Sequence, residues 1–240
     1  MSYSLFISDL HLASERPRIL EQFFDFISGP ARDAEALYVL GDLFEYWVGD
    51  DDLDDPLNRS VAKAFAELAG AGTIVQLMRG NRDVLVGDDF AQRSGVHLLD
   101  DPTLVDVHGT PTLLMHGDTL CTDDVEYQKF RAYAHDAANQ ARFLSQPLAA
   151  RHAHLAGLRR QSESAKLDKS ADIMDVNARA VEQAFRDAGC ARLVHGHTHR
   201  PGRHVHVVDG RECERWVLGD WYASGNYMRC DTNACTLVTL

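Results

Sequence analysis

Five short apolar runs, SLFISDLH, ALYVLGD, TIVQLMRGN, PTLLMHGD and ARLVHGH, each close on Asp, Asn or His, often beside Gly. Runs this short, bounded by turn and polar residues, are signals of buried strands. Between the first three, residues 18–27 and 60–69 repeat apolar side chains every three or four positions, the period of a helix packed on one face. Strands alternating with helices predict βαβ units and a largely parallel sheet, whose ligands gather at the carboxyl ends of the strands. The polar residues of all five runs fall at that end.

Residues 123–185 are different, being almost continuous helix-forming sequence that Pro147 should interrupt. After His199 the stretches RHVHVVD, RWVLGDW and CTLVTL return to strand-like alternation, separated by Gly, Asn and Asp. No internal repeat or low-complexity linker is present. The expected organisation is therefore one α/β core, 1–122 and 186–240, interrupted by a helical insertion at 123–185.

The chain has 240 residues, 45% of them hydrophobic, enough to sustain a core. It has no apolar stretch approaching the roughly 18–20 residues of a membrane span, and MSYSLFISDLHL lacks the pattern of a signal peptide, so a cytosolic location is expected. The five cysteines, Cys121, Cys190, Cys213, Cys230 and Cys235, are scattered without CxxC spacing and read as free buried thiols. A net charge of −12 argues against a general nucleic-acid binder. Within residues 125–175, however, eight Lys or Arg face six Asp or Glu, a mildly basic stretch that could meet something anionic.

Asp9 and His11 are one residue apart, so on an extended strand both leave the same face and can reach one ion. With Asp42, Asn81, His116, His197 and His199 they make two carboxylates, one carboxamide and four imidazoles from five strand ends. Oxygen and nitrogen donors without a thiolate suit two divalent ions such as manganese or iron better than a structural zinc. Gly-Asp and Gly-Asn are also ordinary turns. Turns explain each pair separately, but not why every candidate strand ends in a residue able to hold a metal.

In the order DxH, GD, GNRD, HGD, GHTH the chain resembles the calcineurin-like metallophosphoesterase family over nearly its whole length. The longer pieces SDLHL, VLGDLFEYWVGDD, RGNRD, LMHGDTLC, YQKFR, IMDVN and HGHTHRP are similar to one branch of it. That branch cleaves UDP-2,3-diacylglucosamine to UMP and 2,3-diacylglucosamine 1-phosphate in lipid A biosynthesis. The resemblance implies an α/β/β/α sandwich with a helical cap and two manganese ions per chain. By motif, Asp9, His11 and His199 would hold one ion, Asn81, His116 and His197 the other, and Asp42 would bridge them. It also implies substrate contacts at Asn81, Arg82, Asp124, Ser162, Lys169 and His197; Lys166 stands where the enterobacterial pattern has asparagine, yet could engage a phosphate.

Such chemistry is physically coherent. Two cations about 3.5–4 Å apart can share a hydroxide at neutral pH, polarise a phosphoryl oxygen and steady the leaving group. The planar fork of Arg82 can hold phosphate oxygens, or it can form a surface salt bridge. His195 can orient a metal ligand or donate a proton to the leaving oxygen.

Specificity should reside in the insertion. Phe130, Tyr133, Phe143, Leu144, Leu148, Leu155 and Leu158 either form a hairpin burying its own stripe or line an acyl chamber, where each buried methylene contributes about 0.8 kcal/mol. Arg151, Arg159 and Arg160 could rest on anionic headgroups or form a solvated face. Glu45, Tyr46, Trp47, Asp50 and Asp51 could meet the uridine or brace the site; His204 and His206 read as exposed strand residues, and Gly219-Asp220-Trp221 as a structural corner. The expected protein is a monomer, peripheral on the cytoplasmic face of an inner membrane, acting on a lipid-linked UDP-sugar and not on nucleic acid. One rival is a phosphodiesterase or phosphatase for a soluble nucleotide, against which the insertion counts. Another is a binding scaffold without turnover, against which the complete donor set counts.

Overall fold

The computed structural model describes residues 2–168 and 175–240, with residues 159–168 described by their backbone alone. The chain runs β1 (Tyr3–Ile7), α1 (Pro17–Ser28), β2 (Ala36–Leu40), α2 (Pro56–Gly70), β3 (Ile74–Met78), α3 (Asp88–Ser94), β4 (His97–Leu99), β5 (Thr103–Val107) and β6 (Thr110–Leu114). Then come α4 (Val125–His135), α5 (Ala137–Leu144), α6 (Leu148–Asp168), α7 (Ala178–Ala188), β7 (Arg192–His195), β8 (Gly202–Val208), β9 (Arg211–Val217), β10 (Asn226–Asp231) and β11 (Cys235–Thr239).

The five runs divide between two mixed sheets, as the sandwich implied by the resemblance requires; the alternation of strands with helices alone did not separate them. The first has the order β11-β10-β1-β2-β3-β4 and the second β5-β6-β7-β9-β8. Strands β1 to β4 are mutually parallel, as are β6, β7 and β9, whereas β10, β11, β5 and β8 pair antiparallel at the margins. The parallel middle strands therefore end on one edge in each sheet. Both edges contribute to the site.

Strand alternation builds the layers. Leu5, Ile7, Leu37 and Val39 turn to the face that packs on Phe23 and Phe26 of α1 and Phe65 of α2. Phe6, Ala36, Tyr38 and Leu40 turn the other way, onto Leu114, Val194 and Trp216 of the second sheet. Leu113 and Leu193 then face outward onto Val181 and Phe185 of α7. Because successive side chains of a strand leave opposite faces, sheets covered on both sides need apolar residues at every position. That is why the runs are continuous rather than alternating, and the result is the α/β/β/α sandwich.

Local signals fix the helices. Pro17 and Pro56 stand in the first turns of α1 and α2, where a missing N–H costs nothing. Asp55 caps α2 by accepting from the amides of Leu57 and Asn58, and Asn177 caps α7 by accepting from Arg179 and Ala180. Pro147 falls between α5 and α6, the interruption expected. Although it begins within the 123–185 segment, α7 runs past its end and is an outer layer of the sandwich. No side chain of α4 or α5 is fully buried.

Two cysteine assignments need correction. Cys230 and Cys235 form a disulfide across the β10–β11 hairpin, while Cys121, Cys190 and Cys213 are free and buried as expected. The pair sits directly opposite in register, a juxtaposition that sequence spacing does not reveal.

Phe185→Ala should cost about 3–5 kcal/mol, the usual range for emptying a buried aromatic site. Urea denaturation measures it; a loss below about 1 kcal/mol would mean that α7 is not an integral layer.

Candidate metal centre

Backbone strain marks the site. Asp9, His11, Asp42, His197 and His199 have φ of 55°, 49°, 52°, 64° and 56°, a left-handed region that side chains rarely occupy. Among described non-glycine residues only His108 and Asp209 share it. The loops after the strands are tied by backbone hydrogen bonds that hold these conformations. Asp9 N donates to Gly41 O (3.1 Å), His11 N to Asp42 O (3.0 Å), and Gly196 N to His116 O (2.9 Å). A Cβ at Gly196 would collide with Ser8 Oγ and an Asp9 carboxylate oxygen, so this glycine serves a close approach of two loops.

All seven predicted donors are brought together. Ligand atoms of Asp9, His11 and His199 lie within 4.8 Å of one another, as do those of Asp9, Asp42 and His116. Asn81 Oδ1 stands 3.1 Å from His116 Nε2 and 3.0 Å from His197 Nδ1, which joins the remaining residues to the second group. The two Asp42 oxygens face opposite ways: Oδ2 is 3.9 Å from His11 Nε2, and Oδ1 is 3.9 Å from His116 Nε2. Asp9 also neighbours both groups, but its Oδ2 accepts the His197 amide at 2.8 Å while Oδ1 faces His199 Nε2 at 3.3 Å.

The donor chemistry fits cations. Both ring nitrogens of His11, 2% exposed, lack a hydrogen-bond partner among the described residues, an expensive condition for buried polar atoms unless something else engages them. Burial pushes the Asp42 carboxyl up to about 7, His116 opposes this, and the charges of Asp83 and Asp9 add to it. Burial would lower His116, yet Asp42, Asp118 and Asp9 lift it to about 10. His197 is held down at about 3, first by burial and then by His116. The site thus holds buried negative charge that needs compensation by protons or metal ions.

Several supporting residues lie outside the donor set expected from the sequence. Asp83, fully buried, accepts the amides of Gly80 (2.7 Å), Leu43 (2.7 Å), Asp42 (3.3 Å) and Phe44 (3.4 Å), so it fastens the β3 loop to the β2 loop. It is the last residue of GNRD, the motif that also supplies Asn81. Asp118 follows His116 in the same way and accepts from Tyr127 Oη (2.8 Å) and Arg131 Nε (2.7 Å), which anchors α4. Asp220 Oδ2 lies 3.3 Å from His199 Nδ1. The tetrapeptide VLGD ends β9 as it ends β2, and that repetition could have exposed Asp220.

Arg82 has its amide on Asp42 Oδ1 (2.8 Å) and Nη1 3.8 Å from Glu45 Oε1, at the rim of the donor groups. His195 is completely buried, with Nδ1 2.8 Å from Gly196 O and Nε2 3.0 Å from Arg215 Nη1. Both nitrogens are engaged, and burial with the Arg215 charge holds the ring at about 3. Of the two roles the sequence left open, these bonds support orientation of the loop rather than proton donation.

The 45–51 loop braces. Glu45 stands 3.2 Å from Arg16 Nη2 and 3.8 Å from His11 Nδ1, and Asp50 receives the Trp47 indole (2.9 Å) and the amides of Gly87 and Phe90 (3.0 Å each). Arg151 is corrected: it does not lie on an outer face but is 2% exposed, donating to Val48 O (2.6 Å) and pairing with Asp51. Asp124 is the buried N-cap of α4, accepting from Tyr127 N (3.1 Å). The side chains of Arg159, Arg160, Ser162 and Lys166, and Lys169 altogether, lie outside the described residues. His204 is exposed as expected, whereas His206 is half-buried and receives Arg215 Nε at 3.3 Å.

A family model described as calcineurin-like phosphoesterase matches residues 4–201. A UDP-2,3-diacylglucosamine hydrolase of Aromatoleum aromaticum is 56% identical, the match covering 95% of this chain and 93% of that one. A protein of the same name from Cellvibrio japonicus is 50% identical, with 92% of each chain covered. Among solved structures an archaeal phosphodiesterase is similar at a TM-score of 0.47 and 12% identity, covering 99% of both chains.

Asp83→Ala leaves buried amides without an acceptor, each worth about 1–3 kcal/mol, so a loss of at least about 3 kcal/mol is expected in denaturant unfolding. Unchanged stability would contradict the fastening role.

Proposed function

The chain belongs to the calcineurin-like phosphoesterase family, and from that premise we propose that it hydrolyses the pyrophosphate bond of UDP-2,3-diacylglucosamine. The products are UMP and 2,3-diacylglucosamine 1-phosphate, a step of lipid A biosynthesis. The relatives' shared name supports the substrate. The observation that carries the chemistry is Asp42, whose two carboxylate oxygens look toward two different imidazole groups.

In this reading Asp9, His11 and His199 would hold one divalent ion, Asn81, His116 and His197 would hold a second, and Asp42 would be shared between them. Manganese suits the mixed oxygen and nitrogen donors. When bound, the pair supplies Lewis acidity toward phosphoryl oxygens and activates water at neutral pH.

The protein's own residues do the rest. Arg82 binds phosphate oxygens through its guanidinium fork, held near the donors by its amide bond to Asp42. His195 keeps the Gly196 turn in place, so His197 and His199 point inward. A neutral Asn81 limits the negative charge of the site. These interactions gain strength where water is excluded.

The cap, α4 to α6, selects the lipid. None of Phe130, Tyr133, Phe143, Leu144, Leu148, Leu155 and Leu158 is fully buried, which favours an acyl-binding wall over a hairpin burying its own stripe. Phe130 and Tyr133 are 44% and 58% exposed. Asp124, Ser162, Lys166 and Lys169, with Asn81, Arg82 and His197, are the proposed substrate contacts. Arg131 of α4 and Arg151 of α6 pin the cap to Asp118 and Asp51. No helix among the described residues is long and apolar enough to cross a membrane. We read the protein as a cytoplasmic monomer, peripheral on the inner membrane, with no nucleic-acid role.

In mixed micelles the diacylated UDP-sugar should be hydrolysed far faster than its deacylated counterpart; equal turnover would contradict the substrate assignment. Asp42→Asn should reduce hydrolysis to background with an unchanged circular dichroism spectrum, and an active variant would remove Asp42 from the bridging role.

A further inference from the structure

Residues 219–222, Gly-Asp-Trp-Tyr, lie beyond the span matched by the family model, yet they touch every member of the first donor group. The Trp221 amide donates to the Asp9 carbonyl at 3.1 Å. Asp220 Oδ2 is 3.3 Å from His199 Nδ1. The Tyr222 ring stacks on His11 with centroids 5.0 Å apart and planes 5° from parallel.

This segment is itself held firmly. Trp221 is fully buried and meets Phe26 edge-on at 5.8 Å, which roots it in the helical layer. Asn226, the first residue of β10, accepts the Gly219 amide at 3.0 Å and donates to Asp220 O at 2.7 Å. Asp220 Oδ1 accepts the Tyr222 amide at 2.9 Å, leaving Oδ2 directed at His199.

The chemical consequence concerns one proton. An imidazole that donates its Nδ1–H to a carboxylate is fixed in the tautomer whose Nε2 lone pair is open, and its basicity as a ligand rises. His199 Nε2 points at the Asp9 side of the cluster, 3.3 Å from Oδ1. His116 is oriented in the same sense, but by a neutral acceptor, the Leu40 carbonyl at 2.9 Å from Nδ1. The two donor groups therefore differ: only the first has a carboxylate behind its histidine among the described residues.

We propose that residues 219–222 are the positioning element of the first cation site, with Asp220 a positioning residue that orients His199 through Nδ1 and Tyr222 one that sets the plane of the His11 ring. This rests on the ligand assignment above. It replaces the structural-corner role expected for Gly219-Asp220-Trp221.

Titration calorimetry of the metal-free full-length protein with manganese chloride tests it. Asp220→Asn keeps Oδ1 for the Tyr222 amide but puts an NH2 group where His199 needs an acceptor. We expect one of two manganese equivalents to weaken by about 10- to 100-fold. The other equivalent and the metal-free melting temperature should match the wild type. Tyr222→Ala should weaken that same equivalent, and Tyr222→Phe, which keeps the ring, should restore it. Wild-type affinity at both equivalents in Asp220→Asn would overturn the inference. So would equal weakening of both with a lowered metal-free melting temperature, the behaviour of a corner that is only structural. A wild-type protein binding fewer than two equivalents would overturn the ligand assignment itself, and this inference with it.

Discussion

Asp9 and Asp42 are buried within a few ångströms of each other, and among the described residues neither forms an ion pair with a lysine or arginine. Two unit charges at such a separation repel by roughly 3–4 kcal/mol at an effective dielectric of about 20, before the cost of removing them from water. Among the described residues, imidazoles are the groups that pair with them. The structure therefore spends stability on a cluster whose charges are balanced by bound cations, or by protonating the histidines that would otherwise be donors. Much of the surrounding architecture makes sense as the means of holding that cluster together.

The means are distributed. Each parallel strand delivers one loop to a common edge, and five donors accept left-handed backbone to turn their side chains inward. Conformations of this kind cost about 1–3 kcal/mol each and persist only where the surroundings over-determine them. Here the loops bind one another through main-chain hydrogen bonds, and Asp83 draws four amides onto a single carboxylate. The cap is tied to this framework by the same type of device, Asp118 with Arg131 and Asp51 with Arg151. Helices α4 and α6 are thereby linked to the loops of the sandwich through two ion pairs.

What the sequence makes legible depends on whether a residue's signal is local. The seven donors follow from strand ends, because a strand end is defined by its own few residues. The partition of the runs into two sheets does not, since a run buried on both faces has the same composition in either sheet. Strands β4 and β5 are short and partly polar, and β10, NYMRCD, has no clean alternation; pairing with neighbours makes them strands. Arg151 reads as solvated until Asp51, one hundred positions away, is seen beside it. Asp83 and Asp220 sit in motifs that were visible, but their acceptor roles exist only once distant loops approach.

The central claim is that two cations sit side by side, with Asp42 between them. Anomalous diffraction at the manganese edge, from crystals grown with manganese, tests it most directly. The account predicts two peaks, one against Asp9, His11 and His199, the other against Asn81, His116 and His197, with an Asp42 oxygen on each. A single peak, or peaks away from these residues, would contradict it.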